Sequence, residues 1–509
     1  MTGIFQASKV KIRMYRPGLG DCFLLTFDGQ DGDKRYMMID CGILQQTQNE
    51  VERLLKIVQD IKIQTGGSET QKGKLHIVVA THEHADHLAG FNYHLNLFTQ
   101  QFDIDEVWMP WTENKDDPDV SELYATARKI PLDALRSAIE EWKSSKDART
   151  PDYIKKIMDF IALGQMDCMK TLGKLAPRYL HPDASRDNPD PDGPSTVIQR
   201  EDFGEIRFHV LGPPNNVKDI TRNDLPKTKN QLRMGETLNQ ATSLATALVK
   251  RNPPEDLETG DNDNALALDL EEVYNLCLPF DKTRGMPIEQ ATHDPFFIKH
   301  YGFSDQPPHG PEWRRINTDW LEPAAELALD LDSDVNNTSL VLAIELSPGG
   351  DVLLFPGDAQ YGNWLSWVNT KKGKDILNRT AFYKVGHHGS HNATLVPGGL
   401  EQMMNQHLVA MIPVDPARQP SWRMPNPELS SRLLEKTRGR LIIACQGGGE
   451  TPPCACPAID FTPPADKPAT MTDQEWKQYR QSEEWQAFIQ SIDWDQSPDR
   501  LWVEYTYQA

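Results

Sequence analysis

Cysteine is scarce in this chain, and long apolar runs are absent from its sequence. Seven cysteines in 509 residues are too few for a disulfide framework, which leads us to expect a reducing compartment. No run of about 18 apolar residues occurs, so no membrane-spanning helix is expected. The first residues also lack the apolar segment of a signal peptide. The sequence therefore predicts a cytoplasmic protein that does not associate with membranes.

Positive charge is also in short supply. Lysine and arginine number 53, against 74 aspartate and glutamate residues, which gives a formal net charge of −21. Because the overall field of such a protein repels nucleic acid, binding to DNA or RNA would require a local basic path. The length of the chain allows a large core and more than one folded unit.

Histidine is rare, with 14 residues in all, yet three of them fall in the short motif His82-x-His84-x-Asp86-His87. This motif follows the apolar run Leu75–Ala80, whose branched side chains predict a buried strand. Imidazole ligands suit zinc, iron or nickel, and a carboxylate extends the choice to manganese. His82 and His84 alternate and can face one centre, whereas Asp86 and His87 are adjacent and can face another. The motif thus predicts ligands for two metal ions.

The motif resembles the signature of the metallo-β-lactamase fold. That resemblance implies an α/β (α+β) chain folded as an αββα sandwich, with two packed sheets, helices outside and a one- or two-metal site at the sheet edge. The start of the chain resembles the ComEC-like branch of this fold, the nuclease domain of competence DNA-uptake proteins. The resemblance rests on the loop Gly18-Leu-Gly-Asp21 and the strand end Ile39-Asp-Cys-Gly42. It implies that Asp21 and Asp40 support the metal loop from behind.

Two later segments also resemble this fold. Asp358 ends a strand in a Gly-Asp pair and corresponds to the aspartate that bridges the two ions. The turn His387-His-Gly-Ser390 resembles the His-His-Gly-Ser turn of the ComEC-like branch. The resemblance implies that His388, which precedes glycine, binds the second ion, with His387 as the alternative.

One segment departs from most of the fold. Where a histidine ligand is usual, this chain has Asn336-Asn-Thr-Ser339, a pattern that the ComEC-like branch shares. Asn337 then supports the site without binding the ion, and the first ion keeps His82, His84 and the bridging Asp358. The resemblance therefore implies two divalent ions, zinc or manganese, of which one is weakly held.

Several residues are candidates for the chemistry around two such ions. Paired ions acidify water, and Asp86 could orient the resulting hydroxide. His391 is a candidate proton donor for the leaving group, because histidine titrates near neutral pH; a surface-loop histidine is the alternative. Ser390 and Thr394 could bind a phosphate or simply cap the turn.

A group of basic residues lies close to the same turn in sequence. It could form a local phosphate-binding path, and an ordinary solvated surface is an equal alternative. Its members are Lys371, Lys372, Lys374, Arg379 and Lys384.

The motifs divide the chain into four parts. The first half of the sandwich is expected at 1–111 and the second half at 336–446. Between them lies a mainly helical and irregular insertion, 112–335, with a core strand near 205–213. The extension 447–509 is expected to contain one helix, Thr472–Ile492, and an edge strand, Leu501–Tyr507.

The leading functional hypothesis is a metal-dependent phosphodiesterase or nuclease that uses a metal-activated water. It rests on the ComEC-like motifs and implies a phosphodiester substrate such as DNA or RNA. A hydrolase of small esters, lactones or thioesters is a second hypothesis, which the net charge of −21 suits better. A third is an effector or partner in a multi-protein toxin or defence system, with a protein partner bound through the insertion.

Overall fold

The computed structural model describes part of the chain. The described residues are 5, 7–30, 32–44, 48–117, 120, 172–185, 189–215, 217–220, 286–301, 334–394, 398–414, 424–444 and 467–508. The chain divides into two compact units. The first comprises Met1–Lys115, Leu163–Asp224 and Ser333–Ala509, and the second comprises Asp116–Ala162 and Leu225–Asp332.

Two mixed sheets form the body of the first unit. In chain order the strands are β1 (Ala7–Tyr15), β2 (Phe23–Gly29), β3 (Lys34–Ile39), β4 (Gly73–Val79), β5 (Phe102–Pro110), β6 (Arg178–Leu180), β7 (Val197–Gln199), β8 (Arg207–Gly212), β9 (Val341–Glu345), β10 (Val352–Phe355), β11 (Thr380–Lys384), β12 (Val409–Ile412), β13 (Leu441–Ile443), β14 (Ile492–Trp494) and β15 (Trp502–Gln508). The first sheet has the order β14-β15-β1-β2-β3-β4-β5-β6, and the second has the order β13-β12-β11-β10-β9-β8-β7. In each sheet an antiparallel part continues into a parallel part, β3 to β6 in the first and β10 to β13 in the second.

Helices accompany both sheets, and a short pair lies in the second unit. In the first unit they are α1 (Gln48–Gln64), α2 (Ala85–Tyr93), α3 (Leu95–Gln101), α4 (Val217–Ile220), α7 (Tyr361–Trp367), α8 (Lys371–Arg379), α9 (Pro427–Lys436), α10 (Asp473–Tyr479) and α11 (Glu483–Gln490). The second unit contributes α5 (Ile288–Ala291) and α6 (Pro295–Tyr301) to the described residues. Among the described helices, none is both long and apolar enough to cross a bilayer.

Three apolar clusters stabilise the first unit. One cluster joins side chains of both sheets, among them Phe23 of β2 and Phe382 of β11. A second packs the first sheet against α1 to α3, and a third packs the second sheet against α7 to α9. Strand β2 shows the alternation that this layering requires, because Phe23 and Leu25 enter the first cluster whereas Leu24 enters the second.

The stretch 112–335, expected as one insertion, is interrupted by strands that belong to the two sheets. The core strand expected near 205–213 is present as β8. Strands β6 and β7 also lie within this stretch: β6 pairs with β5 in the first sheet, and β7 pairs with β8 in the second. The segment Leu163–Asp224 accordingly belongs to the first unit. Strands β6 and β7 have three residues each, which is too short for a clear alternating pattern in the sequence.

The C-terminal extension also differs from the expectation. The single helix expected at 472–492 is two helices, because the Ser482 side chain accepts a hydrogen bond from the Trp485 backbone N–H and starts α11 anew. Strand β15 is not an edge strand, since it pairs with β1 on one side and with the short β14 on the other. The apolar pattern of α11 runs on into β14, which hid that strand in the sequence.

Three chain segments are joined tightly where β3 ends and α2 begins. The Asp21 N–H donates to the Asp86 carbonyl at 2.8 Å, and the Cys41 N–H donates to the His87 carbonyl at 2.7 Å. Gly42 lies against the same backbone, where an added Cβ would be 2.0 Å from the Asp86 carbonyl carbon. Only glycine fits there without moving the segment that carries Asp86 and His87.

We therefore expect Gly42→Ala to destabilise the protein by about 1–3 kcal/mol, the usual range for overpacking a buried site. Denaturant unfolding would measure the loss. Gly173→Ala is the matched control, because its added Cβ would meet no atom within 4 Å and should leave stability nearly unchanged. Equal unfolding midpoints for Gly42→Ala and the wild type would contradict this packing.

Candidate metal centre

Four buried side chains from both sheets converge at one place. Asp86 and His87 lie in the first turn of α2, just after β4 of the first sheet. Asp358 follows β10 and His388 follows β11, both strands of the second sheet. Each offers one ligand atom, and these atoms all lie within 4.8 Å of one another. Strand ends of two different sheets thus bring together residues that are far apart in the chain, and the contact between Asp86 and His388 spans 302 positions.

His87 is fixed by a carboxylate on each side of its ring. Its Nδ1 donates to Asp40 Oδ2 at 2.7 Å, and its Nε2 lies 3.1 Å from Asp358 Oδ2. Asp40 is itself held by Thr81, whose backbone N–H and hydroxyl both donate to it. Burial disfavours a charged imidazole, but the carboxylates of Asp358, Asp21 and Asp40 outweigh it and raise the pKa of His87 well above its ordinary value. The ring orientation is therefore set from behind.

His388 is oriented in the same way through a strained turn. His387 and His388 have φ angles of 45° and 51°, in the left-handed region that non-glycine residues seldom adopt. This bend lets His388 Nδ1 donate to the Pro413 carbonyl at 2.8 Å, with Nε2 placed 3.0 Å from Asp86 Oδ2. A ring that donates through Nδ1 presents Nε2 to the cluster, as metal-binding histidines do.

Two buried atoms of the cluster have no hydrogen-bond partner among the described residues. They are His87 Nε2, despite its nearby carboxylate oxygen, and Asp86 Oδ1. An unsatisfied buried polar atom is costly unless something else binds it. Imidazole nitrogen and carboxylate oxygen are both ligands for divalent transition metals, so the donor set fits a metal ion.

The two carboxylates of the cluster remain ionised. Burial alone would raise the pKa of Asp358, but the charges of His87 and Lys384 hold it well below its ordinary value. For Asp86 the hydrogen bond from His388 and the charge of His87 likewise outweigh burial and depress the pKa. Anionic oxygens are therefore available to a cation at neutral pH.

His82 and His84 form a neighbouring pair rather than part of the four-residue cluster. His82 Nε2 lies 3.2 Å from His84 Nδ1, and the His82 ring centroid lies 4.2 Å from that of His87. Burial is the main cause that lowers the pKa of both, to about 4 for His84, so both rings are neutral near pH 7. In the described part of the chain, these two are not in any group of three or more ligand atoms that all lie within 4.8 Å of one another.

Asn337 is buried beside this region and is fully used by the protein. Its Oδ1 accepts from the backbone N–H groups of Gln360 and Asn363, each at 3.2 Å. Its Nδ2 donates to the Ile220 carbonyl at 2.9 Å. Asn337 therefore holds the turn after β10.

Of the two histidines in the turn, the structure brings only His388 into the four-residue cluster. His387 is half-buried, and its Nδ1 lies 3.3 Å from Gln360 Nε2. Its backbone N–H nevertheless donates to Asp358 Oδ1 at 3.0 Å. His387, the alternative to His388 in the sequence analysis, therefore contributes a backbone N–H to the site and no ligand atom to the cluster.

The expectation that Lys384 faces a phosphate is wrong. Its side chain is 2% exposed, and its ammonium contacts the carboxylates of Asp21 and Asp358 and the Gly357 carbonyl. The sequence did carry a signal, because β11 is apolar up to Lys384 and every residue in it is buried. A lysine that ends a buried strand needs carboxylate partners.

The rest of the basic group is also paired with acids. Lys371 and Lys372 bind Asp192 and Asp190, and Arg379 binds Glu345 at 3.0 Å. Of the five residues only Lys374 has neither a carboxylate partner nor cover from solvent among the described residues. The structure therefore favours the solvated surface over a phosphate-binding path.

The polar residues after the turn have partners within the protein or lie at its surface. The Ser390 hydroxyl donates to Asn392 Oδ1 at 2.8 Å, and the Thr394 hydroxyl lies 2.8 Å from the Tyr383 hydroxyl. His391 is exposed and follows His388 by three positions in the chain. The role of His391 as a proton donor stays a prediction.

Loss of one ligand should remove bound metal from the protein. We expect His388→Gln, which keeps a polar side chain but loses the oriented imidazole, to reduce the metal content of protein purified with Mn²⁺ or Zn²⁺ to below about one tenth of the wild-type value. His407→Gln is the control, because the His407 side chain is 76% exposed and lies 3.9 Å from Glu484, which is not a residue of the cluster. Elemental analysis measures both, and undiminished metal in His388→Gln would contradict the assignment.

Metal affinity should fall as the pH falls. Burial lowers the pKa of His87 and His388, but neighbouring carboxylates outweigh it and raise both above the ordinary value, so protons compete with an ion for these rings. The apparent affinity should therefore be at least tenfold higher at about pH 8 than at about pH 6. Chelator competition at the two pH values tests this, and equal affinities would show that no proton is displaced.

Four side chains from two sheets thus form a buried cluster that could hold a metal ion. Comparison of the chain with protein-family models, curated proteins and solved structures gave no match. The cluster is therefore the main support for a metal-dependent activity.

Proposed function

We propose that the protein is a metal-dependent hydrolase of the metallo-β-lactamase type that cleaves phosphodiester bonds. The observation that carries the proposal is the buried cluster Asp86, His87, Asp358 and His388, with its rings oriented by hydrogen bonds from behind. The two mixed sheets, with one core joining both and helices packed on each, support an αββα sandwich. The ComEC-like motifs support a phosphodiester substrate.

The four-residue cluster would hold one divalent ion tightly, zinc or manganese. A second ion would be held more weakly by His82 and His84, whose usual third histidine is replaced by Asn337. A bound ion supplies Lewis acidity, which lowers the pKa of water and stabilises negative charge that develops on the substrate. Two nitrogen and two oxygen ligands suit either metal.

The side chains of the cluster have distinct tasks in this proposal. Asp86 stays ionised, so that one of its oxygens would bind the ion and the other would accept a hydrogen bond from the attacking water. Asp40 and the Pro413 carbonyl keep His87 and His388 in their orientations. His391, exposed after the turn, would protonate the leaving oxygen.

A hydrolase of small esters, lactones or thioesters is the second candidate, and charge favours it. The net charge is −21, and the basic residues near the turn are mostly paired with carboxylates. Such a surface attracts a long polynucleotide poorly. A small phosphodiester carries little charge and is repelled less than a polynucleotide, so the leading proposal is compatible with the charge of the protein.

We expect Asp358→Asn to lower the rate of phosphodiester cleavage by several orders of magnitude. The amide keeps the shape of the side chain but loses the charge that an ion requires, so water should no longer be activated at neutral pH. Asp103→Asn is the matched control. Its carboxylate is 67% exposed and pairs with Lys74 at the surface, where such pairs contribute little.

The measurement compares wild type and both variants, loaded with Mn²⁺ or Zn²⁺, on bis-p-nitrophenyl phosphate, a DNA ladder and a thioester. Cleavage of the phosphate substrates by wild type and Asp103→Asn alone supports the proposal. Consumption of the thioester alone would favour the second candidate. Equal cleavage by Asp358→Asn and wild type would remove Asp358 from the active site.

A further inference from the structure

Lys384 is a buried cation inside the cluster of carboxylates. Its side chain is 2% exposed at the end of β11. The ammonium contacts Asp21, lies 3.2 Å from Asp358 Oδ1 and donates to the Gly357 carbonyl at 2.9 Å. These three partners use the three donors of an ammonium group. Lys384 therefore has none left for a substrate.

The contact with Lys384 gives the two carboxylate oxygens of Asp358 different surroundings. Its Oδ1 is taken by Lys384 and by the backbone N–H of His387 at 3.0 Å. Its Oδ2 faces His87 Nε2 at 3.1 Å and His388 Nε2 at 3.9 Å. A carboxylate that bridges two ions through both oxygens needs both of them free. Here one oxygen is already bound to a positive charge.

The charge of Lys384 also opposes a second cation nearby. Four buried carboxylates surround the cluster, those of Asp21, Asp40, Asp86 and Asp358. Lys384 offsets one of these charges without binding solvent. A fixed positive charge 3.2 Å from Asp358 Oδ1 repels a second cation that approaches the same carboxylate.

We propose that Lys384 is a positioning residue that leaves Asp358 a single metal-facing oxygen, so that the centre binds one divalent ion tightly and a second only weakly. This inference rests on the proposed metal centre. It makes Lys384 a second cause of the weak binding, in addition to the asparagine at position 337. Replacing the lysine should therefore strengthen binding of the second ion.

The test uses Mn²⁺ as the probe and the full chain as the protein. Chelator competition gives the two affinities, and electron paramagnetic resonance detects spin coupling between two neighbouring Mn²⁺ ions. In the wild type we expect one tight ion and no coupled signal at one equivalent of metal. In Lys384→Met we expect the second ion to bind about tenfold more tightly or better, with a coupled signal. Lys384→Arg, which keeps the charge, should behave like the wild type.

Two further variants serve as a control and as a charge-balanced alternative to Lys384→Met. Lys374→Met removes a lysine that is exposed on α8, and it should leave both affinities unchanged. The double variant Asp21→Asn/Lys384→Met frees Asp358 Oδ1 but removes one charge of each sign, which keeps the cluster balanced if Lys384→Met does not fold. It should also gain the second ion.

Three results would overturn the inference. Unchanged or weaker binding of the second ion by both Lys384→Met and the double variant would show that Lys384 does not limit the site. A coupled signal in the wild type at one equivalent would show that Asp358 already bridges two ions. Absence of any tight ion in the wild type would defeat the metal centre itself, and it would thereby separate failure of the proposed function from failure of the role of Lys384.

Discussion

The site depends on His87, which lies between two buried carboxylates. Asp40 fixes its Nδ1 at 2.7 Å, and Asp358 lies 3.1 Å from its Nε2. Buried ions are stable only when they are paired, so each buried carboxylate near His87 needs a positively charged partner. Lys384 and His388 complete the compensation by binding Asp21, Asp358 and Asp86. The buried charges thus hold the two halves of the chain in one arrangement, and a divalent ion would take over the remaining unsatisfied atoms.

The fold makes this arrangement possible because strand ends of both sheets meet at one edge. The first sheet delivers His87 on the segment after β4, and the second delivers Asp358 and His388 after β10 and β11. Backbone contact at Gly42 keeps the first segment in place, since no other residue has room there. Packing of apolar side chains from both sheets into one core then sets the distance between the two groups of ligands.

Residue types and spacing alone predicted one part of this site. The cluster of three histidines after a branched apolar run marked the segment after β4, whereas Asp358 and His388 were predicted through the resemblance to the metallo-β-lactamase fold. The choice of His388 over His387 depends on two left-handed backbone conformations, which residue types alone do not encode. The partner of His388 is the Pro413 carbonyl, and a backbone atom leaves no mark in the sequence. Lys384 was misassigned because its partners Asp21 and Asp358 are distant in the chain. Strands β6 and β7 were missed because they are short and carry no continuous apolar run, and β14 was missed because the apolar pattern of α11 continues into it.

The central claim is that Asp86, His87, Asp358 and His388 bind a divalent ion. Anomalous diffraction from crystals grown with Mn²⁺ or Zn²⁺, recorded on both sides of the metal absorption edge, tests it most directly. We predict one strong anomalous peak within ligand distance, about 2.0–2.2 Å, of the two imidazole Nε2 atoms and one oxygen from each carboxylate. Crystals grown with saturating metal that show no anomalous peak at these four side chains, or a peak only elsewhere, would contradict the account.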